Sequence, residues 1–174
     1  MARDQGPDVV LNPQQMNILI PTVSPESVEA LVFDLGGVLL DVQLQRTLRA
    51  FEALDIRGLG AAEVIDGNRA CFRDLELGLI TQEEFAEAVR RTFPAVAAIP
   101  DEQLLEAWNA MLMPFDAQRV ELLRELGKRC PVYLLSNTNL PHRIRFRESF
   151  RERFGGSFDE LFVRCFYSDE LHLR

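Results

Sequence analysis

The sequence predicts an α/β protein built on a Rossmann-like parallel sheet, with an all-helical segment inserted after the first strand. Three observations carry this expectation. A short apolar run, Ala30-Leu31-Val32-Phe33, ends in Asp34-Leu35-Gly36-Gly37. A second, Pro131-Val132-Tyr133-Leu134-Leu135, ends in Ser136-Asn137-Thr138-Asn139. Residues 42–115 between them follow helical spacing, and nothing there alternates as a strand would. Continuous apolar runs are what buried parallel strands look like. The polar residues that end each run then fall at the carboxyl edge of the sheet, where open α/β sheets bind ligands.

Each element has its own signal. Leu44, Leu48, Phe51 and Leu54 follow helical spacing. Thr81-Gln82-Glu83-Glu84 is a capping box, followed by Phe85, Val89 and Phe93 at i, i+4, i+8. Pro94 and Pro100 bracket a break, after which Asp101 is expected to cap a helix burying Leu104, Leu105, Trp108 and Leu112. Asp116 is a good N-cap for a helix with Val120, Leu123 and Leu126 on one face and Gly127 as its C-cap. Residues 140–154 read as a helix, Gly155-Gly156 as a turn and 161–167 as a third strand. The organisation expected is an N-terminal extension over 1–28, an α/β core from 29–41 and 116–174, and a helical cap over 42–115.

Composition bounds the function. The chain has 174 residues, 47% hydrophobic and 26% charged, ordinary for a globular protein and enough for a small core with an inserted subdomain. A net charge of -8 makes it a poor non-specific binder of nucleic acid or anionic membrane. An anionic substrate stays open, because a bound metal ion supplies local positive charge. Cys71, Cys130 and Cys165 form no CxxC pair, so three reduced, mostly buried thiols in a cytoplasmic protein are expected. No apolar run approaches the ~20 residues of a membrane helix. The N-terminus lacks the long apolar stretch of a signal peptide and reads as a polar extension with an apolar patch at 18–20.

The run from Phe33 to Asp41 (Phe-Asp-Leu-Gly-Gly-Val-Leu-Leu-Asp) resembles the first motif of haloacid-dehalogenase-like phosphatases, in the subgroup that writes it DLGxV. Leu134-Leu135-Ser136-Asn137-Thr138-Asn139 resembles the second motif of that group, and the helical insert resembles its small α-helical cap. The resemblance runs from about Glu29 to the end, and the bacterial sugar-phosphate (glucose-1-phosphate-type) phosphatases come nearest. Either motif alone is a weak signal; both, in order and separated by such an insert, are specific. The resemblance implies that Asp34 is a nucleophile forming an aspartyl-phosphate. It implies a Mg²⁺ cofactor held by the Asp34 carboxylate and the Gly36 carbonyl. Ser136 would bond the transferring phosphoryl group, with Leu35, Gly36 and Asn137 completing the phosphate-binding set through the backbone. The partner implied is a small phosphorylated metabolite, with no nucleic acid and no membrane.

Three departures qualify that reading. Gly36 stands where the family usually has a second aspartate, a general acid/base of the kind that contributes about 10²–10⁴-fold in rate. The third motif, a lysine, and the fourth, an acidic pair for Mg²⁺, would both follow Arg174. The strands that accompany them would be missing too, leaving strand 31–33 with an open apolar edge to be covered by a homodimer, by strand exchange or in part by the N-terminal extension. Three functional readings therefore stand. One is a Mg²⁺-dependent phosphoric monoester hydrolase in full-length form, with the 174-residue chain weakly active or inactive. The second is a truncated or impaired relative that serves as a binding module. The third and weakest is a dehalogenase.

Other residues have plainer readings. Asp41 either contacts substrate near the cap hinge or caps the next helix. Glu76 and Trp108 lie in the cap as candidate pocket-lining residues, Trp108 at a spacing that suits core more than pocket. The basic run His142, Arg143, Arg145, Arg147, Arg151 and Arg153, interleaved with Glu148 and Glu152, reads as a solvated helix face. Neither His142 nor His172 has zinc-ligand spacing.

Overall fold

The structure, a computed structural model, describes residues 24, 27–60, 64 and 70–174. The apolar patch at 18–20 lies outside the described residues. Three strands, β1 (Leu31–Phe33), β2 (Val132–Ser136) and β3 (Arg164–Tyr167), form a parallel sheet in the order β1-β2-β3. Parallel neighbours need long crossovers. The first runs through α1 (Leu44–Ala53), α2 (Ala70–Glu76), α3 (Gln82–Thr92), α4 (Asp101–Asn109) and α5 (Ala117–Gly127), and the second through α6 (Leu140–Phe154). A one-turn helix, α7 (Ser168–Leu171), follows β3. This is the α/β class that the two apolar runs predict.

Two hydrophobic clusters form. Under the sheet, Val132 and Leu134 of β2 pack with Phe115, Phe146, Phe150 and Phe158. Phe115 meets Phe150 edge to face at 5.4 Å and 86°, while it lies tilted on Phe158 at 5.1 Å and 36°. The second cluster lies within the insert, around Phe51, Phe72, Phe85, Leu104 and Trp108. On the other side of the sheet, Val32 is 64% and Leu135 56% exposed. Among the described residues the sheet is thus covered on one face, and no strand pairs with the outer edge of β1. No helix among the described residues is long and apolar enough to cross a membrane.

Several local expectations shift. The Thr81 capping box and the Asp116 N-cap form as read. Asp101 is the first residue of α4 instead of its cap; Pro100, extended at φ -60 and ψ 151, takes that position, and the Asp101 carboxylate bonds Arg90. Leu112 lies beyond α4. Gly127 ends α5 from within, with Lys128 as C-cap. Residues 159–161 form a 3-10 turn, so β3 begins at Arg164. Asp159 explains this, since it accepts from Tyr167 Oη (2.7 Å) and pairs with Arg147 (2.6 Å), drawing the chain into a turn. None of the three cysteines is in a disulfide, and each is half-buried, not buried as expected.

The insert is tied to the sheet at two places. Where the chain leaves and returns, Val42 and Leu112 form an antiparallel bridge, flanked by Gln43 N–H to Met111 O (2.8 Å) and Met113 N–H to Asp41 O (3.0 Å). The Asp41 side chain turns to Arg119 (2.6 Å), and Gln43 holds the N-cap position of α1. On the far side, the Ser168 hydroxyl lies 2.9 Å from Glu76 O and 2.8 Å from Thr138 O. His172 Nδ1 sits 2.7 Å from Leu77 O. Gly78, at φ +63, backs so closely onto α7 that a Cβ there would lie 2.0 Å from the Asp169 carbonyl oxygen.

Gly78→Ala should therefore cost more than the roughly 1–2 kcal/mol of left-handed backbone alone. Gly58→Ala supplies that baseline, since Gly58 has φ +78 and open space around it. Urea unfolding of both variants measures the difference; equal losses would show that the insert and α7 do not approach this closely.

Candidate active site

Register brings the site together. Phe33 is level with Leu134, so Asp34 follows level with Leu135, and Ser136 comes one residue later opposite Tyr167. Both polar residues therefore leave the sheet at its carboxyl rim. Beyond Asp34 the backbone winds into a tight turn. The Leu35 carbonyl accepts from the N–H groups of Val38 (3.3 Å), Leu39 (2.9 Å) and Leu40 (3.0 Å). Gly37 N–H closes the turn on Leu40 O (2.8 Å) at φ +75, a conformation that suits glycine. Leu35, Leu39 and Leu40 are buried as the turn's anchor. The Asp34 side chain is left exposed, accepting the Leu35 N–H at Oδ1 (2.6 Å).

Two clefts meet at this rim. One, of about 690 Å³, is lined by Asp34, Gly36, Ser136 and Asn137 with Ser168 and Leu173. The other, of about 510 Å³, runs under the insert and is lined by Leu35, Gly36, Ser136 and Asn137 again, with Glu76, Trp108 and His142. Arg174 lines both. Asp34, Gly36, Ser136 and Asn137 are thus brought around one mouth, although Ser136 itself is only 4% exposed. Leu35 differs: its side chain is in the core, and its N–H is directed at the Asp34 carboxylate. A separate cleft of about 680 Å³, lined by residues of α4 and α6, shares none of these residues.

The back wall of the second cleft is a closed polar network. Asn139 caps α6, its Oδ1 accepting from His142 N–H (3.1 Å) and Trp108 Nε1–H (3.2 Å). Its Nδ2 can only donate, to His142 Nδ1 at 3.2 Å, which leaves His142 Nε2 as the protonated nitrogen, 3.4 Å from Trp108 O. The Trp108 and His142 rings stack at 4.7 Å. Burial drives the His142 pKa down to about 4, the Trp108 carbonyl opposing it weakly.

No family model matches the chain. A D-ribitol-5-phosphate phosphatase of Bacteroides thetaiotaomicron is 27% identical over 112 residues, covering 64% of this chain and 53% of that protein. The chain spans about half the length of this curated relative. Among solved structures, a HAD (haloacid dehalogenase) family enzyme of B. thetaiotaomicron in complex with magnesium matches with a TM-score of 0.73 at 27% identity. The match covers 84% of this chain and 71% of that one. An aspartate-to-alanine mutant of that enzyme, complexed with magnesium and inorganic phosphate, gives 0.75 at 26%, with the same coverage. A HAD-like family hydrolase of Porphyromonas gingivalis gives 0.72 at 27%, over 84% of this chain and 69% of that one. The chain has a haloacid-dehalogenase-like fold.

In this HAD-like chain the donor set at the rim is hard. An exposed carboxylate, Asp34, and the carbonyl of Gly36 beside it are oxygen ligands of the kind Mg²⁺ prefers. Among the described residues no group of three or more His, Cys, Asp or Glu side chains is placed to hold a metal ion.

The structure corrects the reading of the basic run. His142 and Arg143 are each only 7% exposed, not on a solvated face. Arg143 pairs with Asp169 (2.9 Å) and Glu170 and lies 5.1 Å from the Tyr167 ring. Arg147 is half-buried against Asp159, while Arg145, Arg151 and Arg153 do face solvent. Asn139 as cap and Pro141 just inside the helix were the available signal, because they set the first turn of α6 at the rim. Trp108 serves two purposes, packing on Phe72 (5.2 Å) and Phe85 (5.8 Å) while walling the cleft.

His142 gives a test in acid. Its folded pKa of about 4 lies below the unfolded value near 6.5, so the unfolded state takes up the proton first. Stability should fall as pH drops from about 6.5 towards 4. His142→Gln should lose less stability than the parent between pH 7 and pH 5, measured by urea unfolding. An identical pH dependence in both would show that the ring is not held neutral.

Proposed function

We propose that this chain carries the nucleophile and cap of a Mg²⁺-dependent phosphatase acting on a small phosphorylated metabolite. The observation that supports this reading is the meeting of Asp34, Gly36, Ser136 and Asn137 at one cleft mouth. An Asp34 oxygen attacks phosphorus in line, the bond to the leaving oxygen breaks, and an aspartyl-phosphate forms. Water then attacks that phosphorus, releasing inorganic phosphate and the Asp34 carboxylate. The Ser136 hydroxyl and Asn137 N–H donate to phosphoryl oxygens as charge builds on them. Asp34 and the Gly36 carbonyl would hold Mg²⁺, whose contribution is Lewis-acid neutralisation of two anions that must touch.

Residues 42–115 act as the cap, and the cleft beneath them receives the leaving group. A relative that acts on D-ribitol 5-phosphate supports a sugar or polyol phosphate as substrate. With Gly36 in place of an acid, esters whose leaving oxygen needs little protonation are the better substrates. Binding of phosphate without turnover is the second reading, and Gly36 favours it.

Release of p-nitrophenol from p-nitrophenyl phosphate in Mg²⁺ tests the reading, in this chain and in a form extended past Arg174. Asp34→Asn should lower kcat by about 10³-fold or more, since the nucleophile is gone. Ser136→Ala should lower it by about 10²-fold, the loss of one donor to the phosphoryl group. Turnover that survives in Asp34→Asn would refute the aspartyl-phosphate route. No turnover in either form, with phosphate still bound, would establish the second reading.

A further inference from the structure

Resting on the phosphatase reading, we propose that the Glu76 carboxylate selects the substrate by accepting hydrogen bonds from hydroxyl groups on its leaving portion. A polyol or sugar phosphate would fit, and a leaving group bearing its own carboxylate or second phosphate would be turned away.

The placement supports this. Glu76 is the last residue of α2 and lines the same 510 Å³ cleft as Gly36, Ser136 and Asn137. It is the one carboxylate among the described residues lining that cleft. Its side chain is 18% exposed and pairs with Arg174 at 3.3 Å. Burial raises its pKa, against the pull of Arg174. A largely buried carboxylate paired with one guanidinium has acceptor sites left to fill, out of about four lone-pair directions in all. Three of the polar groups on the back wall are already engaged, and Arg174, which also lines the cleft, is the partner of Glu76 itself. Trp108 Nε1, Asn139 and His142 are bonded to one another. The remaining wall includes Leu44, Val64, Met111 and Leu112, which offer only apolar contact.

Position matters as much as chemistry. The Glu76 carbonyl meets the Ser168 hydroxyl, and two residues later Gly78 packs backbone to backbone on Asp169. The backbone that carries the carboxylate is therefore fixed relative to the sheet rim, and Arg174 holds the side chain. A phosphoryl group at Asp34 and Ser136 would direct its leaving portion into the cleft that Glu76 lines. A hydroxyl there gives a charge-assisted bond, whereas a second anion meets like charge.

The experiment uses Glu76→Gln, which keeps size, and Glu76→Asp, which keeps charge, each checked for an unchanged Tm. Isothermal titration with inorganic phosphate and with ribitol 5-phosphate is run beside turnover of ribitol 5-phosphate, phosphoglycolate and p-nitrophenyl phosphate, all in Mg²⁺. In Glu76→Gln, Kd and KM for ribitol 5-phosphate should rise about tenfold or more. Phosphate affinity and p-nitrophenyl phosphate turnover should stay within about twofold, and phosphoglycolate should improve. Glu76→Asp should fall between Glu76→Gln and the parent. Equal losses on every ligand would mean a structural role and overturn the proposal, as would no loss on ribitol 5-phosphate. Titration keeps the two readings apart: a chain that binds ribitol 5-phosphate through Glu76 without turnover would sink the phosphatase reading alone. A chain that binds neither ligand would sink both.

Discussion

β1 is three residues long, and its parallel pairing with Val132, Tyr133 and Leu134 is what puts Asp34 at the rim of the sheet. Slipping that pairing by one residue would exchange the two faces of the strand. Val32 would turn into the aromatic core, and Leu31 and Phe33 would turn out. The buried turn at 35–40 guards against this. Leu35, Leu39 and Leu40 enter the core only when Asp34 is the first residue past the strand. The exposed carboxylate is thus a by-product of three buried leucines.

The same rim is closed from above by the insert, and the two attachments differ in kind. The paired linkers at 41–43 and 111–113 are a short ladder of backbone bonds, with few buried side chains to stiffen it. The contact of 76–78 with 168–172 is a close backbone approach, set by Gly78, Ser168 and His172. The cleft between them is bounded on one side by the ladder and on the other by residues 76–78 seated on α7.

The strands, the capping box and the two polar strand ends were legible because each is a local signal: an apolar run, a spacing of three, a residue next to a strand. The curated relative and the solved HAD structures agree with the family that those strand ends suggest. What stayed illegible was non-local. Asp101 looked like a cap until Pro100 took the position and Arg90 took the carboxylate. His142 and Arg143 sat in a charged run whose sequence says surface, but α6 starts at the sheet rim, and its first turn is buried by α4 and α7. Arg143 is tolerated there because Asp169 and Glu170, some 26 residues on, meet it. Periodicity within one helix carries no information about such partners.

Charge at the mouth orders the remaining chemistry. Asp34 and Glu76 are both carboxylates, Arg174 is the guanidinium shared by the two clefts, and the protein as a whole carries -8. A dianion entering here meets net repulsion unless a cation stands beside Asp34, which is why the hard oxygen donors at 34 and 36 bear so directly on the proposed function. Arg174 faces both carboxylate-bearing clefts but pairs with Glu76, so it steadies the far end of the site and leaves Asp34 in need of a separate counter-ion. On the proposed reading, an attacking carboxylate in one cleft and an anchored one in the other would give the shared mouth a polarity. Phosphate would be held where a metal neutralises it, and hydroxyl-rich groups would be favoured beside Glu76.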